Sequence, residues 1–280
     1  MPTVSLCDDM KGEICSFIRD MQSLQCASRV SKSFRNYALA HAMRYPVIVI
    51  DHSWDFRLMS DTEEVSNDDD VKDSKSGLMA RLQGSAVRST KGLLLDGGTE
   101  SWTGLHEDGG HAVLDDWTWG GTTSIETYVK YERFNLASRV FDFSGEGYDD
   151  SVHLFNRGTS SIVGWAVRQG EDTDEEILSS SFDLSAWTHI VLTVKGSIMK
   201  TYKNGVLVGT KTDGHEPNIV NRKLNTIGAL AHTTTTTTTN DNKPTHFFHG
   251  TIAFIRMWHN RELSTEAIKS AFNSRNEIFR

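Results

Sequence analysis

From residue 187 to 194 the side chains alternate, with Trp187, His189, Val191 and Thr193 on one face and Thr188, Ile190, Leu192 and Val194 on the other. Both faces are apolar or β-branched, the pattern of a strand buried on two sides. A second run follows at 199–203, then Asn204-Gly205, then Val206-Leu207-Val208. Asn-Gly supplies positive φ at both central positions of a type I′ turn, so these runs predict a tight hairpin. Further strands are predicted at Leu93-Leu94-Leu95, 122–131, 138–143, 152–155 and 162–168, at the spacing of a sandwich or jelly roll. Residues 77–87 fit a short strand or a helix equally well. The expected fold is therefore mainly β, an antiparallel sandwich, preceded by a small helical unit.

The two ends of the chain have a helical period. Met10, Ile14, Phe17 and Ile18, then Leu24, Ala27, Val30, Phe34, Ala38 and Met43, fall at helical spacing before Pro46 and a short apolar run, Val47-Ile48-Val49-Ile50. Residues 51–76 are acidic and small-polar without a clear period, which predicts a linker. At the other end Ser264 is placed to cap a final helix, with Leu263 stapling Ile268. The threonine run at 233–239 is low-complexity sequence expected in a loop. The expected division is a helical unit at 1–50, an acidic linker at 51–90 and a β domain at 91–280.

Trp187-Thr188-His189 with its valine-rich strand, Tyr202-Lys203-Asn204-Gly205, the run from Phe248 to Trp258 and Leu95-Asp96-Gly97-Gly98 together resemble the laminin-G-like jelly rolls of the concanavalin A-like lectin and glucanase superfamily. The resemblance covers roughly residues 90–280. It implies a concanavalin A-like jelly roll but not one function, since such sandwiches host lectins, enzymes and adhesion modules.

The N-terminal unit resembles a second family. Leu6-Cys7-Asp8-Asp9-Met10, Glu13-Ile14, Phe17, Leu24 and the run Ala27-Ser28-Arg29-Val30-Ser31-Lys32-Ser33-Phe34-Arg35 look like an F-box, although Cys7 stands where that family has proline. The resemblance implies binding to a Skp-type ubiquitin-ligase adaptor, with Leu6, Phe17, Leu24, Val30 and Phe34 as the contact residues. The competing reading is a helical cap packed on the sandwich.

Composition narrows the classes. A net charge of -8 argues against general nucleic-acid binding. No stretch reaches the ~18 apolar residues of a membrane helix, and the polar N-terminus does not read as a signal peptide. The three cysteines, Cys7, Cys15 and Cys26, lie outside the β region, and there is no Asn-x-Ser/Thr acceptor. This favours an intracellular protein, cytoplasmic or nuclear, without membrane contact.

Candidate chemistry is sparse. The glucanases of the superfamily carry alternating carboxylates on one strand. The nearest set here, Asp172, Asp174 and Glu176, lacks the first glutamate and is expected in a solvated hairpin tip, while Glu126 stands alone in a strand. His189 reads as a packed core residue. The resemblance also implies a rim calcium site, for which Asp149, Asp150, Asn240 and Asp241 are the candidate oxygen ligands, with a solvated acidic loop as the alternative. Trp102, Trp117 and Trp119 lie near predicted loops and are candidates for ligand stacking. No catalytic residue is assigned. The reading is a recognition protein whose jelly roll binds a glycan or a protein, joined to an adaptor-binding helical unit. The alternatives are a stand-alone lectin-like or adhesion module and a glycoside-active enzyme.

Overall fold

The computed structural model describes residues 50–58, 70–100, 106–145, 150–170, 173–230 and 244–276, all within the compact unit Ile50–Arg280. The F-box-like residues Leu6, Phe17, Leu24, Val30 and Phe34 lie outside the described residues. In chain order the strands are β1 (His52–Asp55), β2 (Val71–Lys72), β3 (Met79–Gln83), β4 (Val87–Ser89), β5 (Gly92–Asp96), β6 (Thr99–Glu100) and β7 (His106–Glu107). Then come β8 (His111–Leu114), β9 (Trp117–Trp119), β10 (Thr123–Arg133), β11 (Arg139–Ser144), β12 (Val152–Asn156), β13 (Ile162–Gln169) and β14 (Thr173–Ser181). The chain continues through β15 (Trp187–Lys195), β16 (Ile198–Lys203), β17 (Val206–Lys211), β18 (Val220–Arg222), β19 (Leu224–Ile227) and β20 (His249–His259) to helix α1 (Thr265–Asn276).

Two antiparallel sheets form the sandwich. Sheet A has the order β17-β16-β15-β10-β20-β5-β4, with β1 also on β20, and sheet B has the order β14-β13-β12-β11-β19-β8-β3-β2. Between them lies one core that includes Trp54, Val129, Tyr131, Phe141, Phe143, Leu154, Trp165, Ile190, Leu192, Ile252 and Ile255. The alternation expected at 187–194 is realised in β15, where every residue from Thr188 to Val194 is buried. The predicted turn is type I′ in sign, with φ of 51° at Asn204 and 76° at Gly205. At α1, Ser264 Oγ accepts from the Ala267 N–H at 3.2 Å while Leu263 and Ile268 are buried, as the cap and staple require.

Two expectations are corrected and one open alternative is resolved. Much of the supposed linker is sandwich: β1 pairs with β20, β2 with β3, and Trp54 and Phe56 are fully buried. The physical reason is the period-2 run of Trp54, Phe56 and Leu58, all buried, whose intervening Asp55 and Arg57 pair at the surface. The acidic stretch 59–69 lies outside the described residues. Residues 79–83, undecided between strand and helix, form β3, with Ala80 and Leu82 facing the core. The expected hairpin tip around Asp174 and Glu176 is strand β14, in which Asp174 pairs with Arg168 and Glu176 with Ala166.

Because neighbouring strands are antiparallel, the loops sort to two ends. The turn at Gly121, the loop ending at Asp150, Gly170, Gly196, residues 212–219 and Asn260 share one end. Asn135, the 157–161 turn, Ser185, Asn204 and the Leu230–Thr245 bridge share the other. If β1 is part of the fold, Trp54→Ala should lower stability by about 3–5 kcal/mol, the range for emptying a buried tryptophan site. Chemical denaturation monitored by far-ultraviolet circular dichroism measures this, and a loss below about 1 kcal/mol would return residues 51–58 to the linker.

Candidate functional site

The Gly121 end is tied together by side chains rather than by strand ladders. Asp150, at φ 52°, accepts from Asn218 Nδ2 at 2.7 Å and from the Gly170 N–H at 3.2 Å. Glu216 Oε1 accepts from Thr122 Oγ1 at 2.5 Å and from the Gly196 N–H at 2.7 Å. Gln169 Nε2 donates to the Glu216 carbonyl at 2.8 Å, and the Gly121 N–H to that of Pro217, also at 2.8 Å. Loops from five chain segments are thereby fixed relative to one another. Beside them Ile219 is 71% exposed. A rim of oriented polar groups next to an exposed apolar side chain is a surface suited to recognition.

Beneath this rim lies an aromatic layer. Trp117 and Trp119, expected near loops and available for stacking, form β9 and are buried, their rings 6.4 Å apart. Phe143 packs edge-on against both, and the Arg222 guanidinium lies 4.3 Å from the Trp119 ring. These tryptophans present no free face to a stacked sugar; they support the loops from below. Their burial leaves no strand signal in the sequence, because β9 is itself three residues long and its partner β18 lies far along the chain. Trp102 lies outside the described residues.

Of the candidate calcium ligands Asp150 is among the described residues; it belongs to the Gly121 end, and its Oδ1 accepts from two donors. Asp149, Asn240 and Asp241 themselves lie outside the described residues. No group of three or more His, Cys, Asp or Glu side chains capable of holding a metal occurs among the described residues.

Two other clusters carry titratable groups. At the start of β1, His52 Nδ1 meets Asp73 Oδ2 at 2.7 Å and Ser76 Oγ at 3.0 Å, and Ser76 Oγ also donates to that carboxylate. Burial alone would raise Asp73, but hydrogen bonds from His52, Ser76 and the Ser53 and Lys75 N–H groups hold it well below the usual carboxylate range. Serine and carboxylate meet the same imidazole nitrogen, so there is no relay through the ring of the kind a nucleophilic serine needs. The cluster instead clamps β1 to the turn before β3.

On the face of sheet B turned from the core, Asp142 lies opposite His153 on one side and Thr226 on the other, all buried. Burial pushes the Asp142 carboxyl up to about 6 against the pull of Arg139, whose Nε lies 3.6 Å away. Burial, helped by Arg139 and Arg168, drives His153 well below its ordinary value. A carboxyl held beside an arginine and an imidazole kept neutral form a buried polar layer on this face. Nearby, the Arg139 N–H donates to the His246 carbonyl at 2.9 Å, and burial, with Arg139, lowers His246 to about 4.

The carboxylate and histidine read as isolated in the sequence also find their places. Glu126 is in β10 as expected, and His189 is fully buried with its Nε2 2.8 Å from Glu126 Oε1, packed and hydrogen-bonded as anticipated but on the face of sheet A turned from the sandwich core. Asp174 and Glu176 alternate on β14; Asp172 lies outside the described residues. The links Asp150–Asn218 and Thr122–Glu216, 68 and 94 residues apart in sequence, have no sequence signal at all.

This geometry defines a two-sheet jelly roll with a polar rim at one end. The family model described as the concanavalin A-like lectin/glucanases superfamily, of laminin-G type, matches residues 106–269, and the chain belongs to that family. A search of curated proteins returns no match. Among solved structures, one of botulinum neurotoxin type C, whose cell entry is described as dependent on interaction with two ganglioside molecules, superposes with a TM-score of 0.53 at 14% identity. It covers 81% of this chain, which spans 50% of the neurotoxin chain. Domain 4 of AbnA, an extracellular GH43 arabinanase from Geobacillus stearothermophilus in complex with arabinotriose, gives a TM-score of 0.51 at 14% identity, covering 79% of this chain and 97% of the domain. At these identities the likeness is one of fold.

His246 makes stability depend on pH with a definite sign. Its folded value lies below its unfolded one, so the unfolded chain binds the extra proton and stability falls as pH drops from about 6.5 toward 4. His246→Asn should remove up to about 2–3 kcal/mol of that slope, seen as a smaller difference between urea midpoints at pH 7 and pH 4.5. An unchanged difference would show that His246 titrates normally.

Proposed function

We propose that this chain is a recognition protein whose jelly roll binds a glycan or a protein through the loops of the Gly121 end, without chemistry of its own. The observation that carries this reading is the cross-linked rim: Asp150, Asn218, Gln169 and Glu216 held by one another beside the exposed Ile219. Pre-ordered polar groups bind with less entropy lost than mobile ones. Two fold neighbours described with gangliosides or arabinotriose give the glycan half of the proposal its support.

The test is a glycan array with the full chain, including arabinotriose and ganglioside oligosaccharides, followed by calorimetry on any hit. Asn218→Ala and Ile219→Asp should each weaken binding about tenfold or more, near 1.4 kcal/mol, with the melting temperature held within about 2 °C. A glycan bound equally by both variants would move the site away from this rim. If no glycan binds, protein capture on the same variants decides whether a protein is the ligand.

The F-box-like run at residues 28–35 supports a second element of the proposal, that the N-terminal unit couples this domain to a Skp-type adaptor inside the cell. Wild-type chain should co-purify with such an adaptor, and a Leu24→Asp, Phe34→Asp double variant that keeps its circular dichroism should not, since each aspartate puts a charge into apolar contact surface. Absence of a wild-type complex would leave a stand-alone recognition module.

A further inference from the structure

Arg222 is fully buried, yet it sits at the edge of the core rather than in an ion-pair layer. Its Nη1 donates to the Phe143 carbonyl at the end of β11, at 3.0 Å, and its Nη2 to the Asn218 carbonyl in the rim, at 3.2 Å. Its guanidinium lies over Trp119, and its buried Nε has no hydrogen-bond partner. Burial lowers its pKa to about 10, opposed by Asp150 and Asp142, so it stays charged at neutral pH.

For fold stability alone this is a poor arrangement. A desolvated guanidinium with two carbonyl partners and an unpartnered Nε recovers less than a hydrophobic side chain of similar length would in the same place. What the charge does achieve is directional. It holds the Asn218 carbonyl to the fixed end of β11, on the residue whose side chain in turn holds Asp150. Lysine cannot replace it, because only the planar fork spans both carbonyls while lying over an indole.

We propose that Arg222 is a positioning residue for the rim: it sets the geometry of Asn218 and Asp150 and contributes little to global stability. The proposal rests on the Gly121 end being the recognition surface, but its test does not depend on a ligand. Hydrogen exchange is measured on the full chain for wild type, Arg222→Met, Arg222→Lys and, as a control at the opposite end, Asn135→Ala, which removes donors to the Gly97 and Phe247 carbonyls.

Arg222→Met and Arg222→Lys should each raise exchange about tenfold at the Gly121, Gly170 and Gly196 amides, which donate into the rim, while β10 and β20 amides keep wild-type protection. Asn135→Ala should leave those three amides unchanged. Unaltered exchange at the rim in both Arg222 variants overturns the proposal. So does a uniform rise through β10 and β20 in the lysine variant, which would make Arg222 an ordinary stabilising residue. The methionine variant failing to fold would overturn the claim of small global cost. A chain that binds neither a glycan nor a protein through this rim but shows the localised exchange would refute the function proposed above and leave Arg222 as the residue that sets the rim's geometry.

Discussion

Glu126 is the hub on which sheet A depends. It lies on β10 facing away from the sandwich core, and it is almost completely buried. The strands on either side and the helix each bring it a partner: His189 from β15, Arg256 from β20 at 3.7 Å, and Arg275 from α1 in direct contact. Arg256 and Arg275 also lie over the Phe254 ring, so the cations are held by an aromatic face as well as by the carboxylate. A buried carboxylate deprived of its partners is far more costly than one never buried, which makes this network a lock on register. With Glu126 paired on both sides, β10, β15 and β20 have one alignment.

That alignment determines where the loops go. Strands β10, β15 and β20 run antiparallel through the middle of sheet A, so Gly121, Gly196 and Asn260 emerge at one end and Asn135 and Ser185 at the other. Sheet B adds Asp150 and Gly170 to the first group. The outer strands could fray without disturbing this sorting. The rim is therefore a consequence of the central register, refined afterwards by bonds between loops. Evolution of such a surface needs only loop substitutions, which is why one sandwich can carry unrelated recognition properties.

The parts of the fold legible in the sequence are those governed by local rules. The Asn204-Gly205 turn, the two-sided strand from Trp187 and the Ser264 cap each depend on residues within a few positions of one another. The period-2 signal of Trp54, Phe56 and Leu58 was equally local, but the dense acids that follow masked it as a linker. Trp117 and Trp119 show the opposite failure. Their loop-like surroundings suggested exposure, while their burial comes from β18 and Phe143, contacts more than twenty residues away. Of the candidate site, Asp150 was singled out for its place before a strand, but its partner Asn218 was invisible from that place.

Local and distant rules also divide the chemistry of the molecule. In the core the distant contacts are apolar and non-directional, so many sequences satisfy them and a period is enough to announce them. At the rim the distant contacts are single hydrogen bonds with fixed geometry, such as Thr122 to Glu216 or Gln169 to the Glu216 carbonyl. Each depends on a single donor–acceptor pair, and none leaves a periodic trace. A sandwich of this kind thus keeps its fold in patterns that any homologous strand can repeat, and keeps its specificity in pairs that only the folded chain brings together. The buried Arg222 stands at the junction of the two, with its charge in the core and its hydrogen bond in the rim.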